Sequence, residues 1–246
     1  MSGASANQDA YFVKEDLGGL SGLNFLGVCD GHGSAGHLVS KYVSFSLANF
    51  FTALLKDYLG ENRFVKSVRS ETCLGSLLER FTSLIQDEES TDMEQLLKMA
   101  FVQTNRALAR EAFDTYKSGT SACTILVAQS TLFCANAGDS RAVLGKKDGM
   151  FWRAAPLSRD HKPTEMDERS RIVANNGRVL RLSGGSLRIW MQEKMEPGLA
   201  LSRTLGDKMA HKVGVISTPE VRRHQIREED KFVIVGSDGL WDKVPS

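Results

Sequence analysis

A chain of 246 residues with 41% hydrophobic residues can form one large domain or two smaller ones, and it is apolar enough to bury a real core. Its 31 basic and 30 acidic residues leave a net charge of +1, which removes the electrostatic case for nucleic acid or an anionic membrane as main partner. The start, MSGASANQDA, lacks the basic and apolar regions of a secretory signal, and Ser2 stands where myristoylation needs glycine. No apolar run is expected to reach the ~18 residues of a membrane span. Cys29, Cys73, Cys123 and Cys134 show no zinc spacing, and three of them fall in strand-like runs, as free thiols do in a reducing intracellular compartment.

Asn7-Gln8-Asp9-Ala10 opens into a strand at Tyr11 to Val13. The turn-rich Gly18 to Gly22 follows, and Leu23 to Cys29 returns as a second strand. Antiparallel pairing of the two brings Asp9 and Asp30 to one end of a sheet, which is costly unless a cation lies between them. The apolar run Phe25 to Cys29 breaks off at Asp30-Gly31-His32-Gly33. A carboxylate, a bare peptide carbonyl and an imidazole within three residues suit a hard metal and a proton transfer. The same tetrapeptide also reads as a strand-to-helix turn whose polar residues cap the helix.

From Leu38 a helical stripe runs through Val39, Val43, Leu47, Phe50, Phe51, Leu54 and Leu55. A polar connection from Gly60 to Thr72 leads to a shorter stripe, Leu74 to Ile85. Thr91 and Glu94 have the spacing of a capping box ahead of Leu97, Ala100, Phe101, Thr104 and Leu108. After Ser118-Gly119 the texture becomes β: Thr120 to Ala128 as one run, a hairpin return at Thr131 to Ala137, an interruption at Gly138-Asp139, then Ser140 to Leu144. Asp160-His161-Lys162-Pro163 precedes a helix, EMDERSRIVANNG, that ends at Gly177. His161, in a turn before proline, reads as structural. Arg178 to Leu201 reads as an irregular surface excursion. Lys231 to Val235 is a last strand that delivers Asp238 and Asp242 into a glycine-bounded turn. With no repeat and no linker, residues 1–246 read as one domain.

Asp9, Asp30, Asp139, and Asp238 with Asp242 thus stand at separate strand ends. Together they point to an oxygen-rich site for Mg²⁺ or Mn²⁺, and the lack of thiolate or multi-histidine ligation argues against zinc. Such sites serve hydrolysis.

The segments NQDA (7–10), GVCDGHG (27–33), SGTSACTILV (118–127), ANAGDSRAVL (135–144), SRDHKP (158–163), PGLALSRTLGDK (197–208) and GSDGLWDKV (236–244) occur in the order found in one family. The chain resembles the metal-dependent protein serine/threonine phosphatases of the protein phosphatase 2C (PPM) family. The resemblance implies an α+β fold, a four-layer αββα sandwich of two antiparallel sheets flanked by helix pairs, with two metals in a cleft at one end. It implies Asp30 as the bridge between the metals, the Gly31 carbonyl and Asp238 as further ligands, and Asp9 holding metal-bound water. Asp139 and Asp242 match a weaker third metal position. His32 is the implied general acid in hydrolysis of phosphoserine and phosphothreonine by a metal-bridging water, with residues 178–197 as a flap beside the cleft. Phosphorylated proteins are the implied partners of an intracellular, cytoplasmic or nuclear, monomeric signalling enzyme.

Three departures stand out. Gln8 replaces a frequent glutamate ligand, no arginine precedes Arg63, and the family continues beyond the position of Ser246 to final helices and strands with a further carboxylate ligand. The alternatives are a pseudophosphatase that binds without turnover, and a hydrolase for a small phosphorylated molecule. Cys29, two residues from Gly31, is a candidate for redox control.

Overall fold

A computed structural model describes residues 7–60, 82, 84–85, 91–182 and 185–244. Its organising strands are β4 (Ala122–Ala128) and β5 (Thr131–Ala137), which are buried along nearly their whole length. Successive side chains of a strand point to opposite faces. Ala122, Leu126 and Ala128 of β4 join Phe133, Ala135 and Ala137 of β5 in one apolar cluster, while Cys123, Ile125, Leu132 and Cys134 join another. A sheet that is apolar on both faces must be covered on both.

That sheet has seven strands. It adds β1 (Asp9–Lys14), β2 (Leu23–His32), β3 (Gly119–Thr120), β11 (Leu205–Gly206) and β12 (Glu220–Gln225), in the order β11-β3-β2-β4-β5-β12 with β1 also on β2. One face carries α1 (Gly36–Leu59) and α2 (Asp92–Leu108). Val39, Val43, Leu47, Phe51 and Leu55 of α1 pack there with Leu97, Ala100, Phe101 and Leu108 of α2, as their helical spacing predicts. Gly60 closes α1 in the left-handed conformation, φ +86°. Against the other face lies a second antiparallel sheet, β13 (Asp230–Gly236), β6 (Arg141–Asp148) and β7 (Phe151–Pro156). The second helix pair of an αββα sandwich has no counterpart among the described residues, and Trp152, Phe232 and Ile234 on this sheet are exposed.

Several expectations change. β2 does not stop at Cys29: Asp30 pairs with Asp9, and Gly31 and His32 pair with Thr120 and Gly119, so Asp-Gly-His lies in a strand, not in a turn. Ser121 divides the expected Thr120–Ala128 run into two strands. Thr91 occupies the N-cap of α2 without a side-chain cap bond, and Glu94 pairs with Lys98 at 3.6 Å. α3 (Met166–Ala174) is followed by a left-handed Asn176, φ +60°, and Gly177 already begins a strand. The excursion is ordered: β8 (Gly177–Arg181), β9 (Leu187–Met191) and β10 (Pro197–Leu199) form a three-stranded sheet. Its core, Val179 and Ile189, is completed by Ile172 of α3, Ala210 of α4 (Lys208–His211), Val213 and Val215, all from outside the segment.

By length and composition α1 is apolar enough to cross a membrane, with an 18-residue window of mean hydropathy 1.3, contrary to the expectation that no run would be. Here it packs on the first sheet. The stripe from Leu74 lies outside the described residues except for Leu84 and Ile85, which are buried in the core, and the connection after Gly60 lies outside them too. Cys29, Cys123 and Cys134 are buried free thiols on β2, β4 and β5, while Cys73 lies outside the described residues.

Candidate active site

The carboxylates gather where the two sheets end together. Antiparallel register sets Asp9 opposite Asp30. The Asp30 N–H donates to Ser121 Oγ at 3.4 Å, and Ser121 Oγ lies 2.6 Å from Ser140 Oγ, beside Asp139 in the link from β5 to β6. β13 pairs with β6 and carries Asp238 to the first residue of α5 (Asp238–Trp241), where Ser237 Oγ donates to Asp9 Oδ2 at 3.0 Å. Gly31 is required by close approach: a Cβ there would lie 2.4 Å from the Gly36 carbonyl oxygen and 2.7 Å from that of Gln8.

Burial first, then the charges of Asp9, Asp238 and Asp139 and a hydrogen bond with Asp238, push the Asp30 carboxyl up to about 7. Asp139 is also raised, by burial, with Lys162 acting against the shift. Lys162 Nζ lies 3.5 Å from Asp139, and Arg141 grips Asp160 through two 2.9 Å bonds. Among the described residues no lysine or arginine pairs with Asp30 or Asp238. An acid surrounded by acids, all hard oxygen donors, fits a hard divalent cation. Among the described residues no three histidine, cysteine or acidic groups close on one point as they stand.

His32 Nε2 lies 2.6 Å from Asp207 Oδ2, with the two side chains 29% and 4% exposed. Burial lowers the imidazole pKa, but the charge and hydrogen bond of Asp207, with Asp30 and Asp139, outweigh it and the net shift is upward. A cleft of about 340 Å³ is lined by Asp30, His32, Asp139, Asp238, Lys117 and Arg188, with the Pro197–Leu201 stretch along one wall. Lys117 Nζ pairs with Glu196 at 2.8 Å.

Asp30, His32, Asp139 and Asp238 therefore share one cleft. Asp9 and Gly31 support its edge through Ser237 and Gln8, while Asp242 is exposed at the end of α5 and does not line the cleft. Gln8 braces the turn: its side-chain Nε2 donates to the Gly33 carbonyl at 3.1 Å, and its buried Oε1 has no hydrogen-bond partner. Of residues 178–197, Arg188 and Pro197 line the cleft, and Gly198 to Leu201 continue along the same wall. The position aligned with the family arginine, near Ala4, lies outside the described residues. Sequence reasoning passed over Asp207, Lys117 and Arg188. Asp207 carried a usable signal, since Gly206-Asp207 repeats the glycine-acid pairing of Gly138-Asp139.

Cys29 does not fit a redox role. It is fully buried, and burial, followed by Asp30 and Asp9, pushes its thiol up to about 12. Folded protein treated with peroxide at neutral pH should show no sulfenic acid at Cys29 by trapping and mass spectrometry. Trapped sulfenate in the folded chain would count against this.

His161 is structural, as its sequence context indicates. It is fully buried, and its Nδ1 accepts from the Gly138 N–H at 3.3 Å. Burial, then the charge of Arg203, lowers its pKa from 6.5 to about 4. A histidine lowered on folding contributes stability above its unfolded value, and that contribution is lost as pH falls from 6.5 towards 4. The size is up to about 3 kcal/mol. Urea unfolding at pH 7 and pH 4.5 should show His161→Gln losing less stability over that interval than the parent chain; equal losses would contradict it.

Residues 5–246 match the family model described as protein phosphatase 2C. The chain is 35% identical over 240 residues to "Probable protein phosphatase 2C 65" of Arabidopsis thaliana, covering 96% of this chain and 59% of that one. It is 35% identical over 252 residues to "Probable protein phosphatase 2C 38" of Oryza sativa subsp. japonica, covering 96% and 55%. The chain thus spans between half and two thirds of the length of these curated relatives. Among solved structures, a serine-threonine phosphatase 2C from Toxoplasma gondii superposes with a TM-score of 0.79 at 21% identity, covering 98% of this chain and 76% of that one. A C. elegans sex determining protein gives 0.69 at 21% identity, covering 97% and 50%. These structural likenesses carry the fold.

Proposed function

Because the chain belongs to the protein phosphatase 2C family, we propose that it hydrolyses phosphoserine and phosphothreonine in proteins with the help of Mg²⁺ or Mn²⁺. The observation that carries this reading is Asp30, crowded by Asp9, Asp139 and Asp238 and paired with no lysine or arginine among the described residues, in the same cleft as a half-buried imidazole. Asp30, Asp238 and the Gly31 carbonyl would hold two ions, with Asp9 alongside, and Asp139 would serve a third, while Asp242 stands outside the cleft. Bound ions would supply positive charge against the phosphoryl oxygens and make water a better nucleophile. His32 gives the proton that the departing serine or threonine oxygen requires. Lys117 and Arg188, the lysine and arginine of the cleft wall, meet the remaining negative charge of the phosphate.

The cleft is open, and the small sheet beside it offers a surface for a polypeptide; phosphorylated proteins are the substrate class this suits. The same reading makes the protein a monomer of the cytoplasm or nucleus, in keeping with the free thiols of Cys29, Cys123 and Cys134. A rival reading, a binding module without turnover, draws on the acidic groups of the described residues not closing on a single point. Phosphate release from a phosphothreonine peptide separates the two. Release that needs Mn²⁺, stops with a chelator and is lost in Asp30→Asn supports the enzyme. A folded chain that binds the peptide and releases nothing supports the module. Release from p-nitrophenyl phosphate alone would favour a small-molecule substrate.

A further inference from the structure

We infer that Asp207 is the positioning residue for His32: it holds Nε2–H and so leaves Nδ1 to deliver the proton to the departing oxygen. The role rests on the phosphatase reading above; the pairing itself does not. The two residues are 175 positions apart, and a two-residue strand brings them together. On one side of β3, His32 pairs with Gly119 and Gly31 with Thr120. On its other side, Gly206 pairs with Gly119 and Leu205 with Thr120. Two strands separated by a third lie about 9.6 Å apart, and the side chains of His32 and Asp207 close that distance over Gly119. Only glycine leaves the room, since a Cβ at position 119 would lie 2.1 Å from Asp207 Oδ2 and 2.9 Å from His32 Nε2.

Asp207 is fixed from several directions. Its N–H donates to the Ser118 carbonyl at 2.9 Å, and its carbonyl accepts from the His211 N–H at 3.1 Å. The Gly206 N–H donates to Asn105 Oδ1 at 2.8 Å. The backbone at Asp207 is left-handed, φ +46°, a conformation that costs a non-glycine residue energy. A carboxylate kept there, 4% exposed and aimed at one imidazole, is an arrangement that folding alone does not call for.

The proton count closes. To act as the acid His32 must carry a proton on each ring nitrogen, Nε2–H held by Asp207 and Nδ1–H free for the departing oxygen. Water adds to phosphorus, the bond from phosphorus to the serine or threonine oxygen breaks, and its electron pair leaves on that oxygen, which takes the Nδ1 proton. The added water gives up its own proton to solvent, and solvent reprotonates Nδ1. Nε2–H stays in place throughout.

The test compares a phosphothreonine peptide, whose alkoxide needs a proton, with p-nitrophenyl phosphate, whose phenolate hardly does. Asp207→Ala should lower kcat on the peptide about 100-fold and on the nitrophenyl ester less than about 10-fold, with the peptide KM unchanged. Asp207→Asn keeps an acceptor and should recover part of the loss. Asp207→Ala added to His32→Ala should cost nothing further. Equal losses on both esters, or multiplying losses in the double variant, would overturn the proposal. If the Asp207 variants do not fold, ¹⁵N NMR of the parent chain decides: a hydrogen-bonded, exchange-protected Nε2–H on His32 is expected, and its absence overturns the pairing. A parent chain that hydrolyses neither ester overturns the phosphatase reading and the role with it, while the NMR signal reports on the pairing separately.

Discussion

Glu168→Gln should destabilise the protein by about 3 to 5 kcal/mol, the cost of breaking a buried ion pair from one side. The Glu168 side chain is fully buried in α3 and accepts five hydrogen bonds: two each from Arg171 and Arg203, and one from Ser202 Oγ, at 2.5–3.0 Å. Burial raises its pKa, but the bonds from Arg171, Arg203 and Ser202 outweigh this and hold it well below the ordinary range. A carboxylate lowered in this way contributes stability above its unfolded value, near 4.5, and loses it only as pH falls below that. At pH 7 the full contribution is present. Glutamine leaves Arg171 and Arg203, whose side chains are 22% and 13% exposed, facing a neutral group. Denaturant unfolding at pH 7 measures the loss, and a loss under about 1 kcal/mol would show that the network is slack. The cleft should feel the change too, because Ser202 and Arg203 lead directly into β11 and Asp207.

Asp30→Asn should stabilise the metal-free protein at pH 8 and abolish phosphate release. Asp30 is raised to about 7 by burial and by Asp9, Asp238 and Asp139, so its charged form opposes folding. A carboxylate raised on folding costs nothing below its unfolded value of 3.8, and the cost is complete once pH passes about 7. With solvent screening at this partly exposed site taken into account, removing the charge returns roughly 2 kcal/mol. Unfolding in the presence of a chelator should therefore find Asp30→Asn more stable than the parent at pH 8 and about equal to it at pH 4. A variant less stable than the parent at pH 8 would mean that Asp30 is compensated within the protein and needs no cation. Stability gained where activity is lost is expected of a site built for function.

How legible the protein was depended on how local each feature is. The pairing of β1 with β2 and the meeting of Asp9 with Asp30 follow from a turn and two adjacent apolar runs, and they were readable. So were the buried faces of α1 and α2, whose spacing alone carries the information. β3 was not, because two residues have no periodicity and Gly119 is defined by its neighbours, His32 and Gly206. Gly206-Asp207 did mark a candidate acid, but its pairing with His32 was not readable, because the partner is remote in sequence. The small sheet at β8 to β10 escaped notice because Ile172, Val213 and Val215, which complete its core, lie outside it. Asp-Gly-His looked like a turn since glycine usually marks one; here Gly31 answers the close approach of Gly36 instead. The capping box failed because Thr91 sits at φ −93°, ψ 5°, not in the extended conformation of a capping residue, and Glu94 lies beside Lys98 instead.

The most direct test of the metal centre is a calorimetric titration of the chelator-treated chain with Mn²⁺ at pH 7.5, beside Asp30→Asn and Asp238→Asn. Saturable binding by the parent that is lost or greatly weakened in both variants is the predicted result. Binding unchanged in both variants, or none in the parent, would contradict the assignment of this cluster as the metal centre.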